Sequence, residues 1–348
     1  MRKAAASPMI RPSAWATGVP MKPAEGVLWG LSMDALTDDR YLRMLFNRHS
    51  YIRYIHSPPI IMIGIIFNPA SNSGNSAERM KALLGLLDAK GAEYVYRETS
   101  GPGDATEIAK ELASTCSVIV AAGGDGTVFE VANGMYGTEA ALMIFPLGSG
   151  NDIARSAKVN DLDDQALVDT VVAGKTRPFD CFTVDGKIGM EFVTFNLVVN
   201  IISRFKDPAN AAKGYAGVLF KAVSGTKARR YLIRTENGEK EVKGLFISAQ
   251  NIATAGNGLP IYPPSLDDDG RFDMITVRYT TSLRKFLNLM SLSKGKLEKQ
   301  PNTSVERVSW AEIKPLDGKE QYILDGEFFE SDGLRVEIAP EKIKMVVQ

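Results

Sequence analysis

Residues 118–152 read VIVAAGGDGTVFEVANGMYGTEAALMIFPLGSGND, and the organisation of the chain can be worked out from this stretch. Two apolar runs, residues 118–122 and 141–145, each have the length of a buried strand, and each is followed by a glycine-rich turn. A helix that begins directly after such a turn presents free backbone N–H groups, which favour phosphate. We therefore expect two phosphate-binding turns, residues 123–127 and 146–152, side by side at the ends of parallel strands, where α/β sheets bind ligands.

The spacing of apolar residues divides the chain into two regions. Before residue 118, strand and helix patterns alternate: residues 60–67 form an apolar run, and residues 77–90 carry apolar side chains at helical spacing. This alternation predicts an α/β domain over residues 60–177 with a parallel, doubly wound sheet. Strand-like segments then follow one another with few helices, which predicts a mainly antiparallel β domain over residues 178–348. The last residues of the chain are candidates for packing back onto the first domain.

Composition and charge argue against several classes of function. Lys plus Arg and Asp plus Glu both number 41, so the net charge provides no attraction to nucleic acid. The longest apolar run, residues 60–67, is too short to span a bilayer, so we do not expect an integral membrane protein. Cys116 and Cys181 lie in apolar surroundings, which predicts packed thiols in a reducing compartment, the cytoplasm. Residues 1–59 show no secretory signal, and we expect a poorly ordered extension there.

The two glycine-rich turns also carry a family resemblance. GGDGT at residues 123–127, followed by PLGSGND at residues 146–152, resembles the diacylglycerol kinase catalytic-domain family, which includes bacterial diacylglycerol kinases and YegS-like lipid kinases. The resemblance covers residues 62–347. It implies a phosphofructokinase/NAD-kinase-like first domain that binds ATP and Mg²⁺, and a β-rich second domain that binds the lipid.

The activity that this resemblance implies is transfer of the γ-phosphate of ATP to a lipid hydroxyl, with diacylglycerol as the default acceptor. Two alternatives stay open. One is an NAD kinase, which shares GGDGT but carries a different segment where this chain has PLGSGND. The other is a catalytically idle relative that binds lipid or nucleotide without turnover.

Glycine and polar residues that follow the predicted strands are the candidates for contacting the nucleotide. From the residues alone, such turns serve equally well as tight connections and helix caps. The resemblance assigns them to ATP and adds the loop after the first strand together with Thr99. The implied nucleotide-binding residues are Asn68, Ser71, Thr99, Gly123, Gly124, Asp125, Gly126, Thr127, Gly148, Ser149, Asn151 and Asp152.

The triplet Asp325-Gly326-Glu327 has two interpretations. Asp-Gly between extended segments is a strong signal for a two-residue hairpin turn. In the family that the chain resembles, this triplet carries the catalytic carboxylate, which positions or deprotonates the attacking hydroxyl. The resemblance therefore implies Glu327, Asp325 and Asp125 as catalytic residues, with either carboxylate of the triplet as the base and Asp125 beside Mg²⁺.

Residues 267–270, Asp-Asp-Asp-Gly, form an acidic turn. Taken alone, the turn is typical of a solvated hairpin connection. The resemblance implies a structural Mg²⁺ that is held by the Asp269 side chain and by the main-chain carbonyls of Leu266 and Arg271. It also implies that Asp180 lies beside Asp125 and Asp152 at the catalytic metal. The implied metal-binding residues are Asp269, Leu266, Arg271 and Asp180.

Two further features bear on the acceptor and on the membrane. Where relatives of the resembled family carry a glycine-rich segment, residues 195–203 read FNLVVNIIS, which leaves the acceptor open. A helix pattern over residues 282–292 puts Leu283, Phe286, Leu287 and Met290 on one face, and basic residues follow it. Such a face indicates either a core-facing helix or peripheral docking at an anionic membrane that presents the lipid substrate. A homo-oligomer also stays open.

Overall fold

The computed structural model describes residues 61–74, 76–206 and 215–348, and residues 61–348 fall in one compact unit. The predictions for residues 1–59 lie outside the described residues. The strands are β1 Ile63–Phe67, β2 Tyr94–Glu98, β3 Val118–Gly123, β4 Ala141–Pro146, β5 Thr176–Phe179, β6 Phe182–Val184, β7 Lys187–Gly189, β8 Phe192–Asn196, β9 Arg229–Thr235, β10 Gly238–Gln250, β11 Thr254–Ala255, β12 Leu259–Pro260, β13 Phe272–Arg278, β14 Thr303–Val308, β15 Trp310–Pro315, β16 Glu320–Leu324, β17 Glu327–Ser331, β18 Leu334–Ile338 and β19 Ile343–Val346. The α-helices are α1 Ala77–Ala89, α2 Asp104–Leu112, α3 Asp125–Met135, α4 Asp152–Ser156, α5 Asp164–Ala173, α6 Leu197–Lys206, α7 Tyr215–Gly225 and α8 Ser282–Leu292.

The first sheet has the strand order β2-β1-β3-β4-β19-β5, and its first five strands run parallel. Strands β1, β3 and β4 are buried along their whole length, which explains their continuous apolar sequences. Helices α1 and α5 pack together, as do α2 and α3. The α/β prediction is therefore confirmed, and three glycine-rich or polar loops follow β1, β3 and β4 at one edge of the sheet.

The second sheet is antiparallel and folds into a sandwich. Its strand β10 is long enough to have two sets of partners: residues 238–244 pair with β9, and the remainder pairs with β8 and β13. Aromatic side chains fill the interior, among them Phe195, which contacts the rings of Tyr231 and Tyr322. This architecture confirms the predicted mainly antiparallel C-terminal region.

Helices α6 to α8 follow one another along the outer side of this sheet. Helix α6 contacts β8, β10 and β16, α7 packs against α6, and α8 packs against α7. Residues 195–203, which depart from the family pattern, form the end of β8 and most of α6. Within the described ranges, no helix has both the length and the apolar content needed to cross a bilayer.

The end of the chain returns to the first sheet. Strand β19 lies between β4 and β5, pairs in parallel with β4 and in antiparallel with β5, and buries Ile343, Met345 and Val346. The backbone N–H of Val347 donates to the carbonyl of Lys175 at 2.9 Å. The two sheets are thus connected both through β5 and β6 and through the final strand.

Candidate active site

A cavity of about 490 Å³ lies at the carboxyl edge of the parallel sheet. The loops after β1, β2, β3 and β4 form its walls, and the hairpin between β16 and β17 reaches it from the second sheet. Its lining includes the predicted residues Asn68, Ser71, Thr99, Gly124, Gly126, Thr127, Gly148, Ser149 and Glu327. The other predicted residues of the glycine turns, Gly123, Asp125, Asn151 and Asp152, lie outside this lining.

The two glycine turns pack backbone against backbone. A Cβ atom on Gly148 would fall 2.3 Å from the Cα of Gly124, which no side chain tolerates. The N–H of Leu147 donates to the carbonyl of Gly123 at 3.0 Å. Asn151 has a φ of 58°, and its side-chain amide bonds both the N–H (3.2 Å) and the carbonyl (3.0 Å) of Gly148. Glycine is therefore required here for the close approach of the two loops.

The loop after β1 is fixed to the first glycine turn. The Asn68 amide donates to the Thr127 hydroxyl at 3.1 Å, and its oxygen accepts from the N–H of Ala70 at 3.0 Å. On the same side of the cavity, Glu130 accepts from the N–H groups of Gly103 and Ala105 at 2.9 and 3.1 Å. Glu130 was missed at the sequence level, because its only signal is a glutamate one turn into the helix after GGDGT. Both contacts hold loops in place around the cavity.

The carboxylates of the Asp-Gly-Glu triplet point to different places. Asp325 and Gly326 have φ values of 46° and 90°, as a two-residue hairpin turn requires. Asp325 is buried and accepts three backbone N–H groups, from Met190, Glu191 and Phe192, at 2.6, 3.0 and 2.9 Å. Asp325 therefore anchors the chain between β7 and β8.

Glu327 in contrast is exposed and lines the cavity. A Cβ atom placed on Gly126 would lie 3.6 Å from the Oε1 atom of Glu327. The hairpin thus brings a free carboxylate from the second sheet to the GGDGT turn of the first.

Several acidic side chains lie close together next to the two glycine turns. Burial and then the neighbouring Asp152 raise the pKa of Asp125, against the opposing effect of the backbone N–H groups of Ile153, Asn151 and Asp152. Burial, followed by Asp125 and Asp325, raises the pKa of Glu191 well above its usual range. Burial raises the pKa of Asp325 to about 7 against the opposing effect of its three N–H donors. Glu191 was not recognised in the sequence, because a single glutamate before an apolar strand carries no pattern.

Asp152 is already satisfied by the protein. It accepts from the N–H groups of Asn257 and Gly258 at 2.7 and 2.8 Å and pairs with Arg155 at 3.2 Å. Asp125, in contrast, takes part in none of the ion pairs found between described residues, so its half-buried carboxylate can accept a cation. Its role differs from that of Asp152, which fixes the loop between β11 and β12.

The residues fit a Mg²⁺ ion that arrives with a phosphorylated ligand. Within the described ranges no group of three or more acidic, histidine or cysteine side chains is arranged to hold a metal. Mg²⁺ is commonly bound by one or two carboxylates together with phosphate oxygens, and Asp125 can supply the carboxylate. No Lys or Arg occurs among the residues that line the cavity, so no lining side chain is available to neutralise phosphate charge there.

The acidic turn lies outside the lining of this cavity, and the carboxylates of Asp267 and Asp269 already have cationic partners. The guanidinium of Arg177 donates to both oxygens of Asp267, each at 2.8 Å. Asp269 forms an ion pair with Arg307 and accepts from the N–H of Arg271 at 3.1 Å. The carboxylate expected to hold a structural metal is thus in contact with a positively charged side chain.

Asp180 completes this arrangement. One of its oxygens pairs with Lys342 at 2.8 Å and the other accepts from the N–H of Gly270 at 2.5 Å. These contacts show that Asp180 fixes the acidic turn. They do not favour the expected position of Asp180 beside Asp125 and Asp152 at a catalytic metal. The main-chain carbonyls of Leu266 and Arg271, which the resemblance implies as further ligands, stay a prediction. As arranged, the turn does not fit a Mg²⁺ ion.

Two family descriptions match most of the described chain. Residues 62–184 match the diacylglycerol kinase catalytic domain, and residues 195–347 match the YegS C-terminal NAD kinase beta sandwich-like domain. The boundary between the two matches falls where the chain passes from the first sheet into the second.

Curated relatives and a solved structure agree with this assignment. The chain is 28% identical over 281 residues to a protein of Klebsiella pneumoniae named "Probable lipid kinase YegS-like", covering 79% of this chain and 93% of that one. It is 27% identical over 276 residues to the diacylglycerol kinase of Bacillus subtilis, covering 76% and 89%. A crystal structure of a diacylglycerol kinase from Bacillus anthracis shares the fold with a TM-score of 0.65 at 19% identity, covering 83% of this chain and 97% of that one. The chain therefore belongs to the diacylglycerol kinase catalytic-domain family of lipid kinases.

Proposed function

We propose that the protein transfers the γ-phosphate of ATP to the hydroxyl of a lipid, with diacylglycerol as the acceptor. The observation that carries the proposal is the position of Glu327: an exposed carboxylate from the second sheet faces the glycine turns of the first. Phosphoryl transfer needs a bound nucleotide and a group that orients the attacking hydroxyl, and little further covalent chemistry. The glycine turns supply backbone N–H groups for the nucleotide phosphates, and Glu327 supplies the orienting group.

The nucleotide binds along the loops of the first sheet. The phosphates lie against the backbone N–H groups of residues 124–127 at the start of α3 and against the turn at Gly148 and Ser149. Asn68, Ser71 and Thr99 line the remaining wall of the cavity and contact the rest of the nucleotide. Because the lining contains no basic side chain, binding depends on backbone donors and on a divalent cation.

Asp125 is the residue that would hold Mg²⁺ together with the phosphate oxygens. When bound, the ion neutralises the charge of the transferring phosphoryl group. Burial and the proximity of Asp152 both raise the pKa of Asp125, so a neighbouring cation stabilises its ionised form. The carboxylates of the acidic turn take no part in this step.

Glu327 accepts a hydrogen bond from the acceptor hydroxyl and takes its proton as the oxygen attacks the γ-phosphorus, while the bond from that phosphorus to the bridging oxygen breaks and ADP leaves. Asp325 does not share this role, because its oxygens are occupied by the N–H groups of residues 190–192. Its function is to hold the hairpin against β8 so that Glu327 reaches the turn at Gly126. Glu327 is thus the base and Asp325 is a positioning residue.

Diacylglycerol is proposed because a relative that aligns over 89% of its own length is named diacylglycerol kinase and others are named lipid kinases. An acceptor of this kind lies in a membrane, so we place the protein at the cytoplasmic membrane surface as a peripheral enzyme. The two cysteines, which are free and buried, agree with a reducing compartment.

The test is a lipid kinase assay with labelled ATP, Mg²⁺ and mixed micelles that contain diacylglycerol, phosphatidylglycerol or a sphingoid base. Wild-type protein is expected to label diacylglycerol. Glu327→Gln is expected to lower kcat by about 10²- to 10⁴-fold, because the amide cannot accept the proton. Calorimetry should show that the variant binds ATP as the wild type does.

The control is Glu330→Gln, which changes an exposed glutamate on the same strand outside the cavity lining. It should retain wild-type turnover. Wild-type turnover in Glu327→Gln would contradict the assignment of the base. Labelled NADP from NAD, or ATP binding without any labelled product, would replace the proposal with an NAD kinase or a catalytically idle relative.

A further inference from the structure

Helix α8 carries its apolar residues on the outside. The side chains buried on its inner face are Lys285 and Asn288, whereas Leu283, Leu287 and Met290 are 72%, 42% and 56% exposed. The three exposed residues follow a spacing of four and three, so they form one stripe along the helix. A helix that only covers a core has the opposite polarity. Of the two interpretations that the sequence leaves open for this apolar face, these exposures therefore favour peripheral docking over packing into the core.

Helix α7 extends this apolar stripe and fixes its orientation. Phe220 on α7 is 57% exposed, and its ring stacks on Phe286 of α8 with centroids 5.2 Å apart. The buried ammonium of Lys285 donates to the carbonyl of Thr226, just after α7, at 2.7 Å. These contacts hold the two helices together. We call the exposed side chains Phe220, Leu283, Leu287 and Met290 the α7–α8 face.

The surroundings of the α7–α8 face are positively charged. Helices α6, α7 and α8 contain no acidic residue, and residues 278–297 contain none. Exposed lysines lie in α7, just after α7 and just after α8, and another stacks over the exposed ring of Tyr279 ahead of α8: they are Lys221, Lys227, Lys294, Lys296 and Lys243. The ion pairs between described residues involve none of these five lysines.

The basic cluster on β9 differs in this respect. Arg229 pairs with Glu320 at 3.5 Å, Arg230 pairs with Asp317 at 3.1 Å, and Arg234 pairs with Glu239. Its charge is largely neutralised within the protein. The free positive charge is therefore concentrated around the exposed apolar side chains.

We infer that the α7–α8 face docks on the surface of an anionic lipid bilayer. The apolar side chains enter the boundary between headgroups and acyl chains, and the lysines contact the lipid phosphates. A second copy of the chain is a poorer occupant, because a symmetric contact would place lysines against lysines. The inference rests on the proposed lipid kinase function, and it names the surface through which the enzyme reaches its substrate. Helix α6 joins this face to β16, the strand that leads to Glu327.

The test is co-sedimentation of the full-length protein with vesicles of phosphatidylcholine alone and of phosphatidylcholine mixed with phosphatidylglycerol. Wild-type protein is expected to sediment with the anionic vesicles, less so at high salt. Leu283→Asp combined with Met290→Asp is expected to lower the partition coefficient at least about tenfold. Val172→Asp, which alters an exposed apolar residue of α5, is the matched control and should bind as the wild type does.

Two further measurements separate this inference from the proposed kinase activity. The double variant should melt like the wild type, since both positions are exposed, and it should phosphorylate a water-soluble short-chain diacylglycerol at the wild-type rate. Failure of the kinase reaction in every variant would leave the vesicle comparison valid as a test of docking. Equal binding of the double variant to anionic vesicles would overturn the inference. The inference would also be overturned if analytical ultracentrifugation showed a wild-type dimer, and if the double substitution dissociated that dimer without changing vesicle binding.

Discussion

At the scale of single residues, the site depends on carboxylates that occupy different environments. Glu327 is exposed in the cavity, Asp325 is buried with three N–H donors, and Glu191 is buried among other acidic side chains. Only the exposed one can meet a substrate hydroxyl. The buried ones instead make the stability of the fold dependent on pH.

The pKa values of Glu191 and Asp325 are both raised in the folded protein, the first well above its usual range and the second to about 7. As the pH rises above about 4, the unfolded chain therefore releases these protons before the folded protein does, and stability falls. Glu191→Gln removes one such group. The stability of the variant relative to wild type is expected to increase as the pH rises through this range.

Urea denaturation over a series of pH values measures this effect as the difference in free energy of unfolding. Glu330→Gln, at an exposed position of β17, should show no pH-dependent difference from wild type. A difference between wild type and Glu191→Gln that stays constant with pH would show that Glu191 ionises alike in the folded and unfolded states.

Gly148 supports a second prediction at this scale. A Cβ atom at Gly148 would meet the backbone of Gly124, and backbone cannot move aside as a flexible side chain can. Gly148→Ala is expected to push the two turns apart, to destabilise the protein by about 1–3 kcal/mol and to weaken ATP binding. Thermal melts and calorimetry measure the two effects.

Gly101→Ala is the matched comparison for Gly148→Ala. Gly101 also lines the cavity, but an added Cβ atom there meets nothing within 4 Å. It should melt and bind ATP like the wild type. Normal ATP binding in Gly148→Ala would show that the close approach of the two turns is not needed for the nucleotide.

At the scale of elements, the acidic turn after β12 is fixed by ion pairs. The family resemblance implies a metal site there, whereas in the structure Arg177, Arg307 and Lys342 each supply a positive charge to the turn. We therefore expect that chelation of divalent ions leaves the melting temperature unchanged. A drop in melting temperature on adding EDTA, reversed by Mg²⁺, would contradict this expectation.

Removal of one of these cations should have the larger effect. Arg177→Met leaves the partly buried carboxylate of Asp267 without its guanidinium partner, although the Ser156 hydroxyl still donates to it, and is expected to cost about 1–3 kcal/mol of stability. Arg335→Met, which breaks the exposed pairs of Arg335 with Glu312 and Glu337, should cost less than about 1 kcal/mol. Urea denaturation of both variants gives the comparison, and equal losses would show that the turn does not depend on its cations.

The elements that could be predicted from the sequence are those with a local signal. Helix α8 has the predicted bounds, Ser282–Leu292, and the Asp-Gly pair at residues 325–326 forms the predicted hairpin turn. The pairing of Arg177 with Asp267 could not be predicted, because it joins segments that meet only in the folded chain. The sequence left the direction of the apolar face of α8 open for the same reason: spacing defines a face but not what covers it.

At the scale of the whole molecule, the two sheets are tied together by the last strand. The sequence suggested only that the final residues pack back on the first region. The four residues of β19 carry no signal that identifies β4 and β5 as their neighbours. In the structure, β19 is inserted between β4 and β5, and β5 leads directly into β6 of the second sheet. Folding of the first sheet therefore requires the end of the chain, and we expect one cooperative unfolding transition for residues 61–348.

Met345→Ala tests this expectation. Met345 is fully buried in β19, so its truncation should cost about 2–5 kcal/mol. Strand β19 belongs to the first sheet and directly follows β18 of the second sheet. The loss of stability should therefore move a single calorimetric transition to lower temperature without splitting it. Lys344→Thr, at the solvent-facing position of the same strand, should leave the transition within about 0.5 kcal/mol of wild type. Two transitions in the wild-type protein, of which Met345→Ala moves only one, would mean that the sheets unfold independently and that the final strand does not couple them.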